Sequence, residues 1–240
     1  MKTLVLAAYA ISTTLISSLI ASSMEGDSAI AFYCLKVAFL VPAFFYFYQK
    51  GYLSNNQSTR FNKFSKILFI VWTLYYFVLP FWHIEITPNI QIFVLTLLYT
   101  TFTVTFEEIV FRVIPFKTKE INPISNFRII KYALLFAVAH AANILYTGSL
   151  IVTFIQVIIA FGYGAILSVG YLRTNSILYI IALHLFVNFP QEYVIISGSL
   201  YPSITSNIKV NQISIEPLIF SGIFSYVLWL ISSVWRKDIL

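Results

Sequence analysis

Charged residues are scarce in this chain: they make up 10% of its 240 residues, against 59% hydrophobic. An ordinary soluble domain carries about 25% charged residues, so that class is excluded. Cysteine is almost absent. Cys34 stands alone, which excludes an intramolecular disulfide and a Cys-rich metal site. Aspartate is confined to Asp27 and Asp238, and both lie outside the long apolar runs. No polar stretch is long enough to fold by itself outside a membrane, and no internal repeat or low-complexity tract breaks the chain. The formal charge of +6 does not point to nucleic acid. The basic residues sit between apolar runs, where lipid headgroups and the positive-inside bias account for them.

What the chain has instead is a series of apolar runs of about 20 residues, the length that crosses a bilayer. They predict an all-α, polytopic transmembrane bundle of about eight spans, forming a single domain over 1–240. The predicted spans are 3–23, 29–48, 67–84, 90–116, 132–147, 150–171, 175–197 and 215–235. The fifth is short, so it sits deep in the bundle or ends in a re-entrant turn. Residues 3–23 follow Met1-Lys2 and read as a first helix that doubles as a retained signal-anchor. Gly162, Gly164 and Gly170 in the sixth span permit close helix packing.

Orientation follows from Lys and Arg. With the N-terminus inside, the inner side receives Lys2, Lys50, Arg60, Lys63, Lys66, Lys117, Lys119, Arg128, Lys131, Arg173, Arg236 and Lys237. The outer loops receive only Lys209. This asymmetry predicts a multi-pass protein of the cell membrane with both termini cytoplasmic.

Ionisable residues inside a span are costly, about 2.5–3.5 kcal/mol each near a helix centre, and usually face the bundle interior. Glu107, Glu108 and Arg112 lie in the fourth predicted span, His140 in the fifth, and His184 in the seventh. At about 1.5 Å per residue, Glu107 lies roughly 15 Å from the inner edge, His140 roughly 13 Å and His184 roughly 16 Å. Three helices thus bring polar groups to one level, which predicts a single site. Glu108 and Arg112 are i,i+4 neighbours on one face, as are His184 with Asn188 and Phe136 with His140. Glu107 points about 100° away from Glu108. Lys36, also inside a span, has no assigned role; His83 is interfacial and Cys34 a packed small residue. The outer halves of the spans read as dry, which argues against an ion or proton path.

Such a cluster suits hydrolysis, which needs a water, a base and a group that stabilises an oxyanion. Glu107 can serve as base with His140 orienting the water, while His184 and Asn188 donate to the oxyanion. A metal version is open as well, with Glu107, His140 and His184 holding Zn²⁺. A two-aspartate site is excluded by the positions of Asp27 and Asp238. His-Glu-x-x-His and Gly-x-Ser-x-Gly are both missing.

Three motifs stand in order on separate apolar runs: Glu107-Glu108-x-x-x-Arg112, Phe136-x-x-x-His140 and His184-x-x-x-Asn188. Together they resemble the CPBP family, the CAAX proteases and bacteriocin-processing enzymes also called Abi, over roughly residues 91–195. The resemblance implies an intramembrane endopeptidase acting on membrane-associated peptides or proteins. Glu107 would be the base, His140 its partner at the water, Glu108 and Arg112 a brace, and His184 with Asn188 the oxyanion side. It leaves open a zinc-dependent or a glutamate-type mechanism, and a role in bacteriocin self-immunity or peptide maturation. A non-catalytic immunity or scaffold protein that binds a membrane partner is the competing expectation.

Overall fold

Each apolar run that falls among the described residues becomes a helix. The computed structural model describes residues 2–22, 28–52, 63–74, 90–117, 126–144 and 149–200. The elements are α1 (Lys2–Ser22), α2 (Ser28–Gln49), α3 (Lys63–Trp72), α4 (Ile90–Glu108), α5 (Ile114–Lys117), α6 (Asn126–Ala139), α7 (Leu150–Thr174) and α8 (Ile177–Leu200). A π-helical segment, Ile109–Val113, joins α4 to α5, and a 3-10 turn, His140–Asn143, continues α6. Two of these helices, Ile90–Lys117 and Leu150–Thr174, are long and apolar enough to cross a membrane. The predicted eighth span, His83 and the end of the predicted third span lie outside the described residues. The predicted fifth span starts earlier than expected, at Asn126, and tightens into the 3-10 turn at His140.

The helices expose apolar faces and bury several polar groups beside the apolar core. Helix α4 exposes Phe93, Val94, Leu97 and Leu98 and buries Thr96, Thr100, Thr105 and Glu108. Helix α7 exposes Leu150, Ile151, Phe154 and Ile158. In water that arrangement would leave apolar stripes uncovered and desolvate polar groups. In lipid both faces are satisfied, the outer one by acyl chains and the inner one by neighbouring helices.

Local chemistry sets the helix ends near the site. Ser149 caps α7 by accepting from the Val152 amide. Asn175 ends it in the left-handed conformation at φ 52°, its amide donating to Tyr171 O at 2.7 Å. Ser176 Oγ then accepts from the Tyr179 amide at 3.2 Å and starts α8. This two-residue turn makes α7 and α8 antiparallel and fixes how far along α8 His184 lies.

Helices α6 and α7 meet at Gly164. A Cβ there would stand 3.0 Å from Ala133 Cα and 3.2 Å from Ala133 O. The obstacle is backbone, so it cannot swing aside. A Cβ on Gly170 would meet side chains only, the Tyr179 ring at 3.4 Å and Ile180 Cγ2 at 3.7 Å. Gly164→Ala should therefore force the α6–α7 crossing apart and cost about 1–3 kcal/mol, whereas Gly170→Ala should cost less. Melting of the two variants in detergent checks the order.

Candidate active site

The site begins with an irregularity in one helix. Glu107 and Glu108 end the α-helical part of α4, and the π segment starts at Ile109. Its closing bond runs from the Ile114 amide to Ile109 O. Pro115 supplies a local reason, since a proline has no N–H and clashes with the carbonyl four residues back in a regular helix. The wider turn relieves that clash. Such bulges are frequent at functional sites. Here it leaves Glu108 and Arg112 on one face: Arg112 Nη1 donates to Glu108 Oε1 at 2.8 Å, and both residues are fully buried.

Helix α8 packs against α4 and delivers His184 to the same carboxylate. His184 Nδ1 lies 2.6 Å from Glu108 Oε1. With Nδ1–H as donor, Nε2 keeps its lone pair. Asn188 Nδ2 donates to that Nε2 at 3.3 Å, and its second N–H is not used in this bond. His184 Nε2 also faces Glu107 Oε2 at 3.7 Å, beyond hydrogen-bond reach. Glu107 Oε2 is buried and has no hydrogen-bond partner among the described residues.

Helix α6 brings the second imidazole. The His140 Nδ1–H bonds back to Phe136 O at 2.9 Å, so His140 Nε2 is the lone-pair side. His140 is within electrostatic reach of Glu107, His184 and Arg112. The Phe136 ring separates and orients all of these groups. It packs edge-on to His140 at 4.5 Å and to His184 at 5.7 Å. The Arg112 guanidinium lies 4.2 Å from its centroid, a cation–π contact strengthened by desolvation.

The six residues expected from the sequence thus gather in one place. The grouping differs from expectation in one respect. Glu108 is more than a partner for Arg112, because it also holds His184 by Nδ1. This is the base–orienter arrangement of catalytic triads, with a carboxylate fixing an imidazole tautomer. One residue that sequence reasoning missed supports the site. Trp72 on α3 is fully buried and donates through Nε1 to Leu183 O at 2.7 Å, next to His184. Phe136, which the sequence pairs only with His140, also touches His184 and Arg112. A tryptophan near the end of an apolar run gave no signal by itself. Among the described residues, no group of three or more His, Cys, Asp or Glu side chains is arranged to hold a metal ion.

An orphaned carboxylate oxygen, two imidazoles held through Nδ1 and a carboxamide meet inside apolar helices, groups of the kinds that can act as a base and as donors to an oxyanion. Residues 89–190 match the family described as type II CAAX prenyl endopeptidase Rce1-like. Over this segment, a little under half of the chain, the sequence is similar to that family, in keeping with the resemblance its three motifs carry. No curated protein and no solved structure matches the chain.

Proposed function

We propose that the chain is an intramembrane endopeptidase that hydrolyses peptide bonds of membrane-associated peptides or proteins, in a multi-pass bundle of about eight spans with both termini cytoplasmic. The observation that carries this reading is the buried, unpartnered Glu107 Oε2, 3.7 Å from His184 Nε2. A carboxylate oxygen with no donor bound to it keeps its lone pairs open to a water. In this reading Glu107 takes the proton of a water that His140 Nε2 helps to align. The hydroxide attacks the scissile carbonyl, and the free Asn188 N–H donates to the resulting oxyanion. His184 Nε2 holds Asn188 in place by accepting its other N–H, and Glu108 fixes the imidazole through Nδ1. Glu107 then returns the proton to the leaving amine. Every step uses this chain's own side chains. The zinc alternative on Glu107, His140 and His184 finds no metal-holding arrangement of donors to support it, so no step is routed through a metal.

The experiment is cleavage of a quenched-fluorescent peptide library by purified protein in liposomes. Wild type is compared with His140→Ala, each with and without a chelator. Cleavage by wild type that survives chelation and falls about 10²–10⁴-fold in the variant supports the reading. Loss of cleavage on chelation, restored by zinc, would replace it with the metal version. A role in bacteriocin self-immunity or peptide maturation is tested by transferring the same variants into cells that carry the immunity phenotype. A scaffold that acts by binding alone would keep its phenotype in His140→Ala.

A further inference from the structure

Burial sorts the polar residues of the bundle into two groups. Glu108, Arg112 and His184 are enclosed, whereas Glu107, His140 and Asn188 are only half-buried. The second group is the one assigned above to the water and the oxyanion. Two further amide side chains are half-buried and have no part in that reading: Asn143 on the 3-10 turn and Gln156 on α7.

The 3-10 turn decides where Asn143 stands. Such a helix has three residues per turn, so side chains three apart eclipse. Asn143 is therefore on the His140 face, about 6 Å further along the axis at about 2.0 Å per residue. In a continued α-helix it would be about 60° off that line. Helix α7 packs against this turn, and Asn143 Nδ2 donates to Gln156 Oε1 at 3.4 Å. The bond uses one hydrogen of Asn143 and one lone pair of Gln156. Asn143 Oδ1 is left over as an acceptor, and the Gln156 N–H groups as donors. Gln156 comes six residues after Leu150, in the half of α7 read as outer, and Lys36, in the outer half of α2, donates to Tyr99 Oη at 3.1 Å. Those outer halves are not dry, contrary to the sequence reading.

A substrate creates the demand that these groups meet. A peptide extended across the site exposes its main-chain N–H and C=O groups, and each one left unpartnered in an apolar interior is costly. The groups assigned to catalysis serve the scissile bond alone. In an extended chain the N–H and C=O of one residue point to the same side, so an acceptor beside a donor complements them. At about 3.3 Å per residue, 6 Å from His140 is about two residues from the scissile bond.

We propose that Asn143 and Gln156 form a main-chain subsite for an extended peptide. Asn143 Oδ1 accepts a substrate N–H and Gln156 Nε2 donates to a substrate C=O, about two residues from the cut. This rests on the protease reading. The subsite holds backbone, so it sets the conformation of the substrate there and not the side chain.

The test is steady-state cleavage in liposomes of one peptide that wild type cuts, and of its ester forms. Each ester replaces a single peptide N–H within three residues of the cut by oxygen. Asn143→Leu and Gln156→Leu should each raise KM about tenfold with kcat within about threefold. One ester, about two residues from the cut, should raise KM of wild type about tenfold. It should cause no further rise in Asn143→Leu, where the same bond is already lost. Additive losses would make the pair a tie between helices without substrate contact and overturn the proposal, as would wild-type KM in both variants. The esters also test wild type alone, whether or not the variants fold. If wild type cuts every ester as well as the parent peptide, the subsite is wrong and the protease reading stands. A wild-type protein that cuts nothing would sink both together.

Discussion

Glu107→Gln should abolish peptide cleavage while leaving the bundle folded. Glutamine keeps the shape of the side chain and removes the proton acceptor. The expected loss in kcat is about 10²–10⁴-fold, the range for a general base. Stability should change little, because Glu107 Oε2 has no bonded partner to lose. Replacing an unpartnered buried oxygen by an amide removes a desolvated charge rather than a contact. Two measurements on one preparation check this: cleavage in liposomes and thermal melting in detergent. Cleavage that persists in Glu107→Gln would remove this residue from the chemistry. A variant that is inactive yet keeps a cellular immunity phenotype would favour a binding protein.

The second large effect should appear in stability as well as rate. Glu108 is fully buried and bonds both Arg112, at 2.8 Å, and His184, at 2.6 Å. Glu108→Ala leaves a guanidinium in the apolar interior with its bonded carboxylate gone. Breaking a buried pair from one side costs about 3–5 kcal/mol. For a chain of this size that is a drop of about 6–20 °C in apparent melting temperature. Glu108→Leu combined with Arg112→Met removes both charges and should recover much of the stability, since well-packed apolar replacements of buried pairs are often neutral. Activity should not recover, because His184 Nδ1 has then lost the acceptor that fixes its tautomer. A double variant that is both stable and fully active would show Glu108 to be a folding clamp only.

The contrast between these two acids explains why neighbouring glutamates take different roles. One residue of helix separates them by about 100°. Glu108 turns into the bundle, where Arg112 and His184 use its Oε1. Glu107 is less enclosed, its side chain 21% exposed. A base must be reached by water and substrate, whereas an orienting carboxylate must be kept from both. The π segment starts directly after the pair, so its wider turn carries Arg112 without disturbing the α-helical geometry that separates Glu107 from Glu108.

By itself the sequence determined that the chain is helical and membrane-embedded, because 59% hydrophobic residues in runs of bilayer length allow little else. It also marked the residues of the candidate site. Glu107, Glu108, Arg112, His140, His184 and Asn188 are polar groups in apolar helices, and their cost there made them visible. Their common depth followed from a constant rise per residue. Only the tertiary structure decided how they pair. Helical spacing reveals neighbours on one helix, such as Glu108 with Arg112, but the bond from His184 to Glu108 spans 76 positions and depends on how α4 and α8 pack. Lys36 was equally visible as an intramembrane cation, yet its partners Tyr99 and Glu192 come from two other helices. The physical reason is the same in each case. Local periodicity is written in the chain, whereas the register between helices is set by packing contacts such as Gly164 on Ala133, which no single helix contains.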